Sequence, residues 1–279
     1  MSDESIVDLV KKHQAQSPEV PENAEVAQKA AVMAEAMPVD RRTEEVLDQL
    51  LANVVGRMRW VEVSLPSQGL LYPEAQKTVQ IRPILFDDEK IIKSTASMTD
   101  AEGSLEKLLR NCVKGIDVSQ LTPEDKLYVL YRLRGISYGD TYALEHSCDN
   151  CGATSKLDLA ISTLKTTPLL EEHMKFTLPD SQQEVQIKLP RSQDTHLFDS
   201  VEKMNENMHL FVHNIGGVTD KTIVEAFIQK TTIRDVDLLR TRIYTPEYGM
   251  ENHFFYNCNG CGHRNRVNIE LTSNFFTAS

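Results

Sequence analysis

The chain has 279 residues, 41% hydrophobic and 25% charged, the profile of an ordinary globular protein with room for one or two real cores. Its 41 acidic residues outweigh 30 basic ones for a net charge of −11, which excludes binding DNA or an anionic membrane through bulk charge and leaves only a local basic patch for such a role. The acidic start has no signal-peptide layout, and no apolar run nears the roughly 18 residues of a membrane span, so the chain is expected to be cytosolic where it is made.

Residues 1–57 stand apart, with no aromatic residue and one glycine, Gly56. Ile6, Val7, Leu9 and Val10 suggest a short amphipathic helix, followed by a polar stretch with Pro18 and Pro21. Residues 24–37 are rich in small helix formers and are stopped by Pro38. Thr43 opens a third helix to residue 55, striped by Val46, Leu47, Leu50, Leu51 and Val54. Helices this short need a surface to cover. The segment therefore reads as a solvated, partly disordered tail or as a helical arm that docks on a partner.

From Trp60 the character changes. Val61, Val63 and Leu65 alternate as in a half-buried strand, and 66–73 form a turn-rich loop with an apolar centre. Residues 78–84 read as a second strand, with Pro83 at an edge or an end. A helix from Phe86 carries Asp87, Asp88 and Glu89 in its first turn, where the dipole favours them. Neighbouring acids such as Asp87-Asp88 and Glu171-Glu172 do not face each other on a helix, so they read as solvated or helix-start residues. Ser104 is expected to cap a helix over 105–113 that buries Cys112. Thr122 as cap, Pro123 at the first position and two acids behind it start a helix that Gly135 is expected to end.

Cys148-Asp-Asn-Cys151-Gly152 and Cys258-Asn-Gly-Cys261-Gly262 follow, each bracketed by strand-like runs. A C-x-x-C turn lets two thiolates reach one ion, and two such turns supply the four soft ligands of a tetrahedral zinc site. The trailing glycine suits the left-handed backbone of such a turn. The pairs are separated by 106 residues, whereas ordinary zinc ribbons space theirs about 15–20 apart. The segment between them must therefore be an insertion whose ends return to the metal. One structural Zn2+ shared by Cys148, Cys151, Cys258 and Cys261 is the favoured reading. Behind it stand a redox pair, which belongs at a helix start beside a βαβ unit, and disulfides or free thiols. His146, His253 or His263 could replace a cysteine, but four thiolates already close the shell and leave no place for a reactive water.

Within the insertion, 174–178 and 185–189 form a hairpin signal. Leu197, Phe198, Val201 and Met204 have helical spacing, an apolar run covers 208–212, and Gly216-Gly217 marks a turn. Thr219-Asp220 and Thr232 open two further helices. His209 and His213, with apolar residues between them, read as partly buried packing residues rather than a metal pair. Lys221-Thr222 lacks the spacing of a phosphate-binding loop, and no zincin, nucleophile-elbow or dinucleotide fingerprint occurs. The expected fold is α+β: small antiparallel sheets and packed helices around a split zinc-ribbon-like site, plus the helical N-terminal arm. The expected domains are the arm at 1–57, a core with the first knuckle at 58–164, the insertion at 165–250, and the second knuckle completing the core at 251–279.

Several stretches also form an ordered set: Leu65-Pro-Ser-Gln-Gly-Leu-Leu-Tyr-Pro73, Ile81-Arg-Pro-Ile84 with Asp88-Glu89-Lys90, Leu127-Tyr-Val-Leu-Tyr-Arg-Leu-Arg134, and Ile136-Ser-Tyr-Gly139. The first knuckle, Gly216-Gly-Val-Thr-Asp220, and the terminal knuckle ending in Phe275-Phe276 complete it. Over about residues 60–279 this resembles the baseplate hub assembly proteins of T-even-like contractile-tailed bacteriophages. The resemblance implies a non-catalytic structural or assembly protein that works beside other hub subunits, in the host cytoplasm during tail assembly; members of the family differ in whether they stay in the virion tail baseplate. It implies no small-molecule substrate. Two readings compete with it. One is a zinc-ribbon nucleic-acid-binding module using His263, Arg264 and Arg266 with Phe254, Phe255 and Tyr256; the other is an enzyme with a zinc-bound water, which requires one cysteine to be a non-ligand.

Overall fold

The computed structural model describes residues 41–55, 59–94, 101–271 and 273–276, and the chain divides into two compact units, Met1–Arg57 and Met58–Ser279. In the first unit the helix expected from Thr43 is present as α1 (Arg41–Val55), and Val46, Leu47, Leu50 and Leu51 of its stripe are exposed. The helices expected around 6–10 and 24–37 lie outside the described residues.

The second unit is α+β. Strands β1 (Val61–Ser64), β2 (Thr78–Ile81) and β3 (Val113–Lys114) form an antiparallel sheet with β2 in the middle. β2 ends before Pro83, which has no N–H to give a central ladder. Helices α2 (Phe86–Ser94) and α3 (Ala101–Cys112) follow. Asp87 and Asp88 both lie in the first turn of α2, as expected of helix-start acids, but Asp88 is buried while Asp87 is exposed. Its carboxylate accepts the Arg82 guanidinium at 2.7 Å, the Leu85 N–H at 2.9 Å and the Asn111 amide at 3.0 Å. Burial alone would raise the Asp88 pKa, but these donors outweigh it and hold the group below its ordinary value.

α3 begins at Ala101, so Ser104 sits inside the helix rather than at its cap. Ala101 and Glu102 are good helix formers that carry the helix upstream. At the other end Val113 leaves the helix because it pairs with Ile81 in the sheet. Cys112 is fully buried, as expected. Helix α4 (Pro123–Tyr138) starts as expected, with Thr122 accepting the Asp125 N–H. It passes through Gly135, however, and stops at Gly139. A glycine inside a helix costs only about 1 kcal/mol relative to alanine. Gly139 instead takes a φ of 91°, which a residue with a side chain adopts poorly.

After α4 the chain makes a hairpin, β4 (Thr141–Ser147) with β5 (Thr154–Ala160), and close to its end a second, β11 (His253–Asn257) with β12 (Arg264–Asn268). Between them the chain departs and returns through one short ladder. β6 (Thr166–Thr167) pairs antiparallel with β10 (Gly249–Met250), and the Glu251 N–H reaches the Lys165 carbonyl at 2.9 Å. The excursion holds α5 (Glu171–Met174), β7 (Lys175–Thr177), β8 (Glu184–Ile187), α6 (Val201–Phe211), β9 (Val212–Ile215), α7 (Lys221–Lys230) and α8 (Ile233–Tyr244). β7 and β8 form the expected hairpin, and β9 adds a third strand. The apolar run at 208–212 is thus divided, because α6 ends at Phe211 and Val212 joins the sheet. That division also corrects the expectation that His213 is partly buried, while His209 meets it. The two do not share a helix face, and His213 is exposed on β9 while His209 is half-buried.

Buried apolar residues fall into two clusters. One runs from Val63 to Leu164 and takes in Met250, Ile269, Phe275 and Phe276; the other runs from Leu169 to Tyr248. A buried polar network crosses between them. Asp125 accepts the Ser67 N–H at 3.1 Å and the Tyr72 hydroxyl at 2.6 Å, while Thr122 Oγ1 lies 2.6 Å from the Tyr248 hydroxyl.

Arg134 is the largest fully buried side chain among the described residues. Its guanidinium donates to the carbonyls of Phe275 at 2.9 Å, Gly139 at 2.7 Å and Thr141 at 2.9 Å. It also lies 5.0 Å from the ring centre of Tyr142. One charge therefore caps the end of α4, orients the start of β4 and fixes the C-terminal Phe275-Phe276 pair. Arg134→Met, which strands three carbonyls, is expected to destabilise the second unit by about 3 kcal/mol or more in urea unfolding. Arg134→Lys should recover only part of the loss, because a lysine cannot reproduce the planar fork.

Candidate metal centre

The two C-x-x-C turns close the ends of the two hairpins and are built alike. In the first, the Gly152 N–H bonds the Cys148 carbonyl at 2.9 Å and the Cys148 N–H bonds the Ala153 carbonyl at 3.0 Å. In the second, the Gly262 N–H bonds the Cys258 carbonyl at 2.8 Å and the Cys258 N–H bonds the His263 carbonyl at 2.9 Å. Gly152 and Gly262 take φ values of 71° and 72°, the left-handed conformation for which glycine is suited.

These turns face each other. The Sγ atoms of Cys148, Cys151, Cys258 and Cys261 lie within 4.8 Å of one another. Cys148 is 3.7 Å from Cys261, and Cys151 is 3.7 Å from Cys258, both pairs crossing between hairpins. Sulfurs bound tetrahedrally at about 2.3 Å from one ion would sit about 3.8 Å apart. A disulfide needs about 2.05 Å, and all four cysteines are free. Neither pair stands at a helix start, where a redox motif of this spacing belongs. None of His146, His253 and His263 joins the sulfur group.

The charges on the sulfurs point the same way. The Cys151 N–H, followed by other donors, pulls the Cys148 thiol down to about 6. At Cys151 the Ala153 N–H also favours the thiolate, but the neighbouring thiols of Cys261 and Cys258 outweigh it and push the group up to about 12. The Cys261 thiol is lowered, first by the His263 N–H. Like charges this close oppose one another, so all four sulfurs ionise together only around a cation. The residues fit a soft metal ion.

A family model described as T4 bacteriophage base plate protein matches residues 58–277, which takes in both hairpins and everything between them. The chain belongs to that family. No curated protein and no solved structure matches it. Membership supports a structural part in a phage baseplate, within the virion tail.

In this baseplate protein the hairpins are joined by more than sulfur. Asn265 is 1% exposed, and its Oδ1 accepts the Asp149 N–H from the opposite turn at 3.0 Å while its Nδ2 donates to the His263 carbonyl at 3.1 Å. His146 and Tyr256 meet edge to face, with Nδ1 3.1 Å from the hydroxyl. Neither contact has a motif in the sequence. The signal for Asn265 was its inward register on β12, shared with Val267, where a polar residue needs a partner. Asn265→Ala should leave the Asp149 N–H without its acceptor and cost about 1–3 kcal/mol. Faster amide exchange at Asp149 would report the loss.

Proposed function

We propose that the protein is a non-catalytic structural or assembly component of the hub of a contractile-tail baseplate. In this reading one zinc ion on Cys148, Cys151, Cys258 and Cys261 holds its distant hairpins together, and its function lies in contacts with neighbouring hub subunits. The observation that carries the reading is the convergence of four sulfurs from both sides of a long excursion, in a chain of the T4 base plate family. An all-sulfur donor set favours zinc over harder ions. Four protein ligands leave no position for a water, so the ion would add stability rather than reactivity. Among the described residues no other group of metal-ligating side chains occurs.

The domain scheme that goes with this reading is a core at 58–164 completed by 251–279 and interrupted by an inserted domain at 165–250. The two apolar clusters and the β6–β10 ladder support it. The N-terminal arm at 1–57 would present the exposed face of α1 to a partner subunit. The protein would be made in the host cytoplasm and join the tail there.

Two measurements test these statements. Purified protein should carry one zinc per chain, and Cys258→Ser should lose it and speed hydrogen exchange in both hairpins and in β6 and β10. Cys112→Ser, whose thiol lies outside the sulfur group, should keep the metal. A metal-free protein that is as stable as the zinc-supplemented one would overturn the zinc reading. Mass spectrometry of tail-assembly intermediates and purified particles should find the chain with hub subunits in at least one of them; absence from both would overturn the hub reading.

A further inference from the structure

The two hairpins correspond position for position at an offset of 110 residues, Cys148 with Cys258 and Gly152 with Gly262. Their outer faces nevertheless differ. In the first, Glu145 stands across the ladder from Lys156 and pairs with it at 3.6 Å. The equivalent positions of the second are Phe255 and Arg266, also directly opposite each other. Where the first hairpin balances its cation with an acid, the second presents an aromatic ring.

Phe255 is 49% exposed. The Arg264 guanidinium lies 4.3 Å over its ring, and the His253 ring stands edge-on at 5.5 Å. The three residues form an ordered apolar and cationic plate rather than a loose side chain. Among the described residues neither Arg264 nor Arg266 makes an ion pair with a carboxylate. The local composition is equally one-sided. Residues 252–269 contain no Asp or Glu, in a chain where 41 of 279 residues are acidic.

We propose that the face formed by His253, Phe255, Arg264 and Arg266 is a docking surface for a partner protein segment that presents carboxylates around an apolar side chain. Arginine forks recognise carboxylates bidentately, and an exposed aromatic beside arginine is the composition of an interface anchor. The hairpin backbone holds these side chains in place before binding, which reduces the ordering cost of association. A nucleic-acid strand fits less well. Two arginines neutralise few phosphates, so a nucleic-acid strand would gain little of the counterion release on which its binding depends. The inference draws on the baseplate reading only for the source of the partner; the chemistry of the face stands without it.

The test is fluorescence anisotropy on full-length, zinc-supplemented protein with three labelled probes: a short peptide alternating Asp and Leu, its Asn counterpart, and an oligothymidylate. The Asp peptide should bind and the other two should not. Phe255→Glu rebuilds opposite Arg266 the acid–cation pair of the first hairpin, so the fold should keep its melting temperature while binding weakens on the order of tenfold or more. Lys156→Gln, on the equivalent face of the first hairpin, should leave binding unchanged. Failure of the Asp peptide to bind, equal binding by Phe255→Glu, or preference for the oligothymidylate would each overturn the proposal. A second arm separates it from the baseplate reading. Retention of the natural chain but loss of Phe255→Glu in tail-assembly intermediates supports the surface, and equal retention overturns it. Absence of the natural chain counts against the baseplate reading alone, and the peptide titration then decides on the surface.

Discussion

Two hairpins more than a hundred residues apart have to meet tip to tip, and the rest of the second unit accommodates that meeting. Closing a flexible loop of this length costs roughly 1.5 kcal/mol more than closing one of about 18 residues, since the penalty grows only with the logarithm of length. A modest set of contacts can therefore hold a large excursion in place. The structure supplies three kinds: the sulfur group, the Asn265 bridge to the Asp149 N–H, and the His146–Tyr256 pair. Each joins one hairpin to the other, so none can form until the intervening chain has returned. Such non-local contacts belong to a slow-folding topology in which the local elements form first.

Behind the hairpins the same unit relies on buried polar groups that are well supplied with partners. Arg134 gathers the end of α4, the start of β4 and the C-terminal aromatic pair around one guanidinium. Asp125 and Tyr72 join the 66–73 loop to the start of α4, and Thr122 extends the network to Tyr248 on the returning chain. Buried groups of this kind are costly when a partner is lost and rigidifying when every partner is present. They place the strands that end in the two turns, and thereby the four sulfurs.

Local chemistry in the chain was legible wherever one strong signal acted alone. The Thr122-Pro123 start, the Asp220 and Thr232 caps, the two knuckle turns and the β7–β8 hairpin all depend on short-range hydrogen bonding that a few residues specify. Misreadings arose where tertiary pairing competed with a local preference. Val113 leaves its helix for a sheet partner, and Gly135 stays helical because the terminator, Gly139, lies four residues further on. The helix-start place of Asp88 is legible but its burial is not, because its partners, Arg82 and Asn111, lie on either side of it and converge only in the fold. At the candidate site the cysteines were evident from spacing and the supporting residues were not. The cysteine pairs are a short-range pattern that each turn carries by itself, whereas Asn265 acquires its role only when the other hairpin arrives.

The narrow neck formed by β6 and β10 has a consequence for how this architecture can vary. Lys165 and Glu251 are hydrogen-bonded neighbours, so a tight turn would suffice to connect them without the intervening eighty-odd residues. The chain beyond the neck has its own apolar cluster, and it is tied back to the core by the Thr122–Tyr248 contact and by the Leu169 and Ser192 N–H groups, which reach the Pro66 and Leu121 carbonyls. A change of length far from the neck can therefore be absorbed there, whereas one at residues 169, 192 or 248 would disturb the core as well.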